Sequence, residues 1–361
     1  MRAAQPGSLL HRRAADLVQR ACADYTGLLW SGLLLLCSIL ALQAGAVPVS
    51  AQDWLNPMWP WQSGSGHSAG NYVLWQIRLP RVLFALLIGA SLGLSGSLTQ
   101  GLFRNPLADP GLLGVSAGAA AAAALTIVLV VASQLTIPAP WRAAVLPLAA
   151  FSGALLVCFL LDRMARWLTP GSVAGLLLAG VALNALGAAL IGLCTYLAND
   201  EQLRTLSFWL LGSVAGANWL LVAILASMLA LAIWRVRHLV HAMNALALGE
   251  AAANHVGIDV ARLRSNVIML VALLTGFAVA WCGMIGFIGL MVPNLVRIWG
   301  SPDQRRVVPQ SMLLGAALLL AADTLARTLV IPAEVPVGIF TALLGSPFFF
   351  VLLRQSRARI G

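Results

Sequence analysis

No charged residue occurs between Val267 and Val296, and none between Gly27 and Val47. Each run is at least as long as the ~20 residues that carry an α-helix across the ~30 Å hydrocarbon layer of a bilayer. Lipid offers the backbone no hydrogen-bond partner, so such runs must satisfy their peptide groups internally, as helices. Composition extends the point to the whole chain: 60% of its 361 residues are apolar, 9% are charged and the mean hydropathy is +0.89. A soluble domain carries about a quarter charged residues. At ~30 residues per helix and turn, the length leaves room for about a dozen spans and little else.

Apolar segments fall at 27–47, 79–103, 112–134, 141–168, 173–198, 217–234, 265–283, 284–299, 310–330 and 336–353, ten in all. No charge separates the seventh from the eighth, so the break between them rests on Gly283 and Gly286 as parts of a tight hairpin. The expected fold is therefore an all-α polytopic membrane protein. It has a tail at 1–26, a single ten-helix transmembrane domain at 27–354 and a second tail at 355–361. With both tails in the cytoplasm, seventeen arginines lie inside and five (Arg78, Arg81, Arg142, Arg204, Arg327) outside, the bias that orients membrane proteins. Shifting the register by one helix destroys it. The first run has a rival reading as a cleaved signal peptide, because Ala44-Gly45-Ala46 resembles a cleavage site. Its length and the long leader bearing Arg2, Arg12, Arg13 and Arg20 favour a retained helix. The interval that follows, with Trp54, Pro57, Trp59, Pro60, Trp61, Gly64 and Gly66, suits an external segment at the interface.

All 22 basic residues are arginine, and against 12 acids they give a net charge of +10. They punctuate apolar runs instead of clustering, which points away from a nucleic-acid partner and toward a membrane. A chain without lysine cannot build the G-x-x-x-x-G-K-[ST] loop, whose ammonium reaches the terminal phosphates of ATP. Any ATP-driven work thus belongs to another subunit, and this chain is expected to bind no cofactor or metal itself. Cys22, Cys37, Cys158, Cys194 and Cys282 form no C-x-x-C pair and read as small apolar residues. Gly89, Gly93 and Ser97 repeat at the small-xxx-small spacing that lets membrane helices approach closely.

Asn105-Pro106-Leu107-Ala108-Asp109-Pro110-Gly111 breaks the apolar pattern beside Arg104. Non-helical backbone at a membrane boundary needs protein or water around it, so this segment is expected inside the assembly near the cytoplasmic mouth. It is preceded by Trp75-Gln76-Ile77-Arg78-Leu79-Pro80-Arg81 and Gly101-Leu102-Phe103, and followed by Gly111-Leu112-Leu113-Gly114-Val115-Ser116. Further on come Leu176-Leu177-Leu178-Ala179-Gly180-Val181-Ala182-Leu183, Ala247-Leu248-Gly249-Glu250, Gly286-Phe287-Ile288-Gly289-Leu290 and Asp323-Thr324-Leu325-Ala326-Arg327. The series closes with Pro336-Val337-Gly338 and Gly345-Ser346-Pro347-Phe348-Phe349. In this order, over about residues 70–355, the chain resembles the permeases of the iron-siderophore, haem and cobalamin uptake family of ABC importers.

The resemblance implies a type II importer permease fold in the bacterial inner membrane. It implies a homodimer of ten-helix subunits, two cytoplasmic ATPases that bind ATP and Mg, and a periplasmic binding protein that delivers substrate. Arg78, Arg81 and Arg327 match the family's external arginines that receive acidic residues of the binding protein. Arginine forks suit carboxylates, although arginine at a helix end also snorkels routinely. The stretch 242–258 lies between Arg237 and Arg262, too short and polar to span, and reads as two short helices broken at Gly249. By itself it is equally an interfacial loop; in the family it is the coupling loop, which assigns Leu248, Gly249, Glu250 and Gly257 to the ATPase. Asn105, Leu107, Ser172, Val173 and Ala174 match the family's cytoplasmic constriction. Val173 and Ala174 replace hydroxyl residues of cobalamin permeases, and Asn294 after Pro293 stands where many relatives have histidine.

His11, His67, His238, His241 and His255 all lie outside the expected spans, and Asp323 is the main acid within them, four residues from Arg327. That pair reads as an ion pair, with a proton relay as the alternative. A bare divalent ion would need carboxylate or imidazole ligands along its path, and a proton-coupled carrier a titrating acid. A large chelate that arrives with its metal already wrapped fits better. The expected cargo is haem, with a ferric siderophore or cobalamin as alternatives. The rival class is a carrier or channel that needs no ATPase. No constellation of nucleophile and base suggests an enzyme.

Overall fold

The structure, a computed structural model, describes residues 6–45, 47–55, 57–58, 68–132, 138, 141–168, 172–330 and 333–357. Trp59, Pro60, Trp61, Gly64 and Gly66 of the external interval lie outside the described residues, as do Arg2 and most of the tail at 355–361. Fourteen α-helices follow in chain order, and no strand occurs among the described residues. They are α1 (Pro6–Gln43), α2 (Ala51–Leu55), α3 (Ala69–Tyr72), α4 (Leu79–Phe103), α5 (Val115–Ala132), α6 (Arg142–Leu168) and α7 (Val173–Leu197). After these come α8 (Asp200–Leu211), α9 (Trp219–Ala247), α10 (Glu250–His255), α11 (Val260–Cys282), α12 (Ile288–Trp299), α13 (Gln304–Thr328) and α14 (Val337–Arg357).

Seven of the described helices are long and apolar enough to cross a bilayer. α5, α12 and α14 are shorter apolar helices, and together these ten correspond to the ten apolar segments of the sequence. α8 is an addition, a short helix held by a capping box in which Asn199 and Gln202 satisfy each other's backbone amides. α9 runs unbroken to Ala247, so the first half of the supposed pair of coupling helices is the end of a long span; only α10 is separate.

Past Arg81, α4 carries only apolar and small or uncharged polar residues, which suits the centre of the bundle: 20 of its 25 residues are buried. Gly89 and Gly93 lie against the carbonyls of Gly315 and Ser311 on α13, with no room for a Cβ. The small-residue spacing thus brings the backbones of α4 and α13 together, as expected where lipid gives no hydrophobic drive to packing. Gly96 and Gly289 do the same for α4 and α12.

Two breaks shape the interior. α11 stops at Cys282 because Gly283 (φ +68°) turns the chain, and the left-handed Phe287 (φ +67°) starts α12. The other break follows Arg104, which ends α4 in the left-handed conformation (φ +50°). Only the first residues of the segment Asn105–Gly111 stay at that end. Pro110 packs against Gly289 and the carbonyl of Leu112 against Gly180, so the chain climbs back among the helices before Gly114 (φ +77°) opens α5. The segment is expected inside the assembly near the cytoplasmic mouth; Ala108 and Pro110 are indeed buried, and the later residues run deeper than the mouth.

Candidate functional site

At the end of the bundle that the arginine count assigns to the cytoplasm, the Asn105–Leu107 turn is moored from two directions. Asn105 Oδ1 accepts the amide of Leu107 at 2.9 Å, and Asn294 Nδ2 on α12 donates to the carbonyl of Pro106 at 2.7 Å. Asn294 also donates to Leu290 within its helix (2.8 Å), which gives the residue after Pro293 a structural task. Gln100 is buried; it donates to the carbonyl of Leu290 (2.9 Å) and accepts from Arg297. Ser172 caps α7 by accepting the amide of Gly175 (3.0 Å), placing Val173 and Ala174 in the first turn.

α10 lies beside this turn. Gly249 (φ +118°) and Gly257 (φ +81°) bracket it, in backbone conformations that suit glycine, and Ala253 buries its inner face completely. The coupling residues drawn from the resemblance divide between two faces. Leu248, 81% exposed, projects outward with Val256. Glu250 turns inward, its Oε1 3.1 Å from Arg264 on α11 and 3.9 Å from Arg104, the residue before Asn105. The carboxylate therefore joins α10 to the turn at the end of α4. Asn244 of α9 donates to Asp303 (2.6 Å) and accepts the amide of Gln304 (3.0 Å), which fastens α9 to α13 at the same end.

At the opposite end Arg78, Arg81 and Arg327 do come together, but around groups of this chain. Arg81 grips Asp323 with Nε and Nη2, at 2.8 to 3.2 Å, and Glu334 with Nη1 at 2.8 Å. Arg78 donates to the carbonyls of Leu42 (3.0 Å), Gln43 (3.1 Å) and Val47 (2.6 Å), and Arg327 to those of Ala44 (3.0 Å) and Ala41. These two guanidinium groups satisfy the carbonyls left open where α1 ends, which cations favour. Arg78 is 4% exposed. The main partner of Asp323 is Arg81 across the bundle; Arg327, on its own helix, is 3.9 Å away. Next to this cluster Asp53 organises the external segment. Its carboxylate accepts from Ser68 and from the amide and hydroxyl of Ser50 (2.8 Å each), which hold it below its ordinary acidity range.

One polar site in the interior has no counterpart in the expectations. A cavity of about 350 Å³ is lined by Asp109, Ser116, Asn184, Thr275 and Gly289 together with apolar residues, Leu92 among them. Leu92, Asn184 and Thr275 each sit near the middle of their helices, so the cavity lies at mid-depth. Asp109 is therefore a second acid within the bundle, besides Asp323. The sequence signal for it was the Asp-Pro-Gly that caps a short turn, Asp109 accepting the amide of Gly111 at 2.7 Å; Thr275 carried none.

A family model described as the FecCD transport family matches residues 33–355. The hemin transport system permease protein HmuU of Yersinia pestis is 42% identical over 337 residues, spanning 91% of this chain and 96% of that protein. The vitamin B12 import system permease protein BtuC of Klebsiella pneumoniae is 39% identical over 327 residues, spanning 91% and 92%. A solved inward-facing metal-chelate type ABC transporter superposes with a TM-score of 0.79 at 31% identity, covering 92% of this chain and 99% of its own.

Proposed function

We propose a working mechanism from the premise that this chain belongs to the FecCD transport family. It is a multi-pass membrane protein and the permease subunit of a bacterial ABC importer, with the fold of a type II importer permease. The cargo we assign is haem. The supporting observation is the 42% identity to a hemin permease across nearly the whole chain, beside 39% to a vitamin B12 permease. Two copies form the translocating unit, with their termini in the cytoplasm. Two ATPase subunits, which bind ATP and Mg, sit against α10, and a periplasmic binding protein docks at the Arg81 end.

Coupling is carried by Glu250. ATPase closure moves α10 through its outward residues Leu248 and Val256. Through Glu250 and Arg104 that motion reaches the Asn105–Leu107 turn, which with Ser172, Val173 and Ala174 forms the cytoplasmic gate. The inward-facing conformation of the structural relative supports a cycle of alternating access. At the outer end, Glu334 is the exchangeable member of the arginine cluster, since its side chain is 46% exposed while that of Asp323 is 1% exposed. A carboxylate of the binding protein would replace Glu334 on Arg81, with Arg78 and Arg327 supporting the field behind it.

Reconstitution tests this reading. The chain with its ATPase and binding protein in liposomes should take up haemin only when ATP is supplied on the ATPase side. Uptake by the purified chain alone would overturn it in favour of a carrier or channel.

A further inference from the structure

α6 and α11 meet closely at Ala154 and Gly276, where a Cβ on the glycine would stand 3.0 Å from that of the alanine. On the side of that contact that the arginine count assigns to the cytoplasm, a crevice of about 190 Å³ lies between the two helices. Its lining follows one stripe on each: Leu155, Phe159 and Asp162 on α6, and Ser265, Met269 and Leu273 on α11. Phe159 and Met269 are more than half exposed, so the crevice opens on the outer face of the bundle. The eight residues from Ala154 to Asp162 rise about 12 Å, which keeps the crevice within one leaflet, ~15 Å of a ~30 Å hydrocarbon core.

A charge stands at the mouth. α6 carries no charged residue from Ala143 to Leu161, and Asp162 is the first. Its Oδ2 pairs with Arg166, one turn on, and lies 3.5 Å from the hydroxyl of Ser265 on α11; its Oδ1 has no partner among the described residues. Arg166 prolongs the α6 stripe four residues beyond Asp162, and Arg262 prolongs that of α11 three residues before Ser265. Both arginine side chains are exposed, at 56% and 82%. A carboxylate at the border of hydrocarbon is costly and is kept where it meets a partner. From the closed end outward, the order is apolar walls, one carboxylate with a free oxygen, then two guanidinium groups. An acyl chain, an ammonium and a phosphate complement that order. A headgroup with a phosphate and no amine would set its charge against Asp162, and a quaternary ammonium brings no N–H to donate. A helix of another protein, ~10 Å across, is too wide, whereas 190 Å³ holds about six groups of ~30 Å³, a stretch of one chain.

We propose that the crevice between α6 and α11 is a lipid site that retains a phospholipid with a primary-ammonium headgroup. One acyl chain lies between the helices, the ammonium donates to Asp162, and the phosphate meets Arg166 and Arg262. The site does not depend on which cargo the protein carries.

The test reconstitutes the full chain in bilayers of equimolar phosphatidylethanolamine, phosphatidylcholine and phosphatidylglycerol with the same acyl chains. The protein is then released in mild detergent, and the lipid that stays bound is counted by native mass spectrometry. The unmodified chain should retain phosphatidylethanolamine over the other two by about tenfold, the weight of one charge-assisted hydrogen bond. Asp162→Asn should bring it down to the phosphatidylcholine level, and Asp162→Glu should restore the preference. Met269→Trp fills the crevice from a half-exposed position and should abolish retention without a change of headgroup chemistry. Added phosphatidylethanolamine should raise the thermal unfolding midpoint of the unmodified chain in detergent and leave that of Met269→Trp where it is, which separates lipid binding from folding. Equal retention of the three lipids by the unmodified chain would overturn the proposal, and so would a preference for phosphatidylglycerol, the mark of a site for anionic lipid. Undiminished retention of phosphatidylethanolamine by Asp162→Asn or by Met269→Trp would overturn it as well.

Discussion

Asp323→Asn should destabilise this protein far more than Glu334→Gln, although both remove a carboxylate from the same arginine. Asp323 is buried and receives three contacts from Arg81 within 3.2 Å, with Arg327 at 3.9 Å. Removing one partner of a buried pair costs about 3–5 kcal/mol, because the remaining charge stays desolvated. Here Glu334 still neutralises part of Arg81 and asparagine keeps one acceptor, so the lower end, about 3 kcal/mol, is expected. Glu334 is 46% exposed, and an ion pair open to solvent contributes about 0–1 kcal/mol. The assay is thermal unfolding of the permease in lipid nanodiscs, with each variant measured at low and high salt. Asp323→Asn should lower the midpoint clearly and insensitively to salt, while Glu334→Gln should shift it little, and less as salt rises. A Glu334→Gln loss equal to or larger than that of Asp323→Asn would refute the view that the cluster is built around the buried carboxylate.

Other expectations follow from the packing and the two ends. Gly96→Ala should cost about 3 kcal/mol or more, since a Cβ there meets the backbone of Gly289, whereas Gly192→Ala, in open space, should be neutral; unfolding midpoints in detergent compare the two. Glu250→Arg should uncouple ATP hydrolysis from uptake, and Arg104→Glu in the same chain should recover part of the coupling. No recovery in the double variant would remove the Glu250–Arg104 link. The Asp53 carboxylate is held below its ordinary value of 3.8, so its contribution is present above that pH and disappears as pH falls through the lower folded value. Hydrogen exchange of residues 51–55 should show protection at pH 5 that Asp53→Asn removes; equal protection in the two forms would exclude the role.

The two ends of the molecule differ in how much of them could be read in advance. Glu250 is assigned to the ATPase by the family resemblance, since its polar interval between Arg237 and Arg262 reads equally as an interfacial loop. Its partners Arg104 and Arg264 are 146 and 14 positions away, on helices whose contact depends on how α4, α10 and α11 pack. Arg78, Arg81 and Arg327 are singled out by the family resemblance among the five arginines that the charge count expects outside. That two of them close the end of α1, and that Asp323 belongs to Arg81 more than to Arg327, required the third dimension: i,i+4 spacing makes a pair possible, but Arg81 reaches with two nitrogens. Asp109 is the sharpest case. The prolines around it and nearby Arg104 mark a covered segment near the cytoplasmic mouth, and nothing local indicates how far its later residues run into the bundle.

By itself the sequence determined the solvent. Runs without charge, as long as a bilayer is thick, admit only helices, and the arginine distribution orients them. It also determined the close approach of α4 to its neighbours, because Gly89, Gly93 and Ser97 keep that face small. The tertiary structure alone decided which polar groups meet. Asp109 lines one cavity with Thr275 and Gly289 only because the chain turns at Arg104 and at Gly283, which brings together segments distant in sequence.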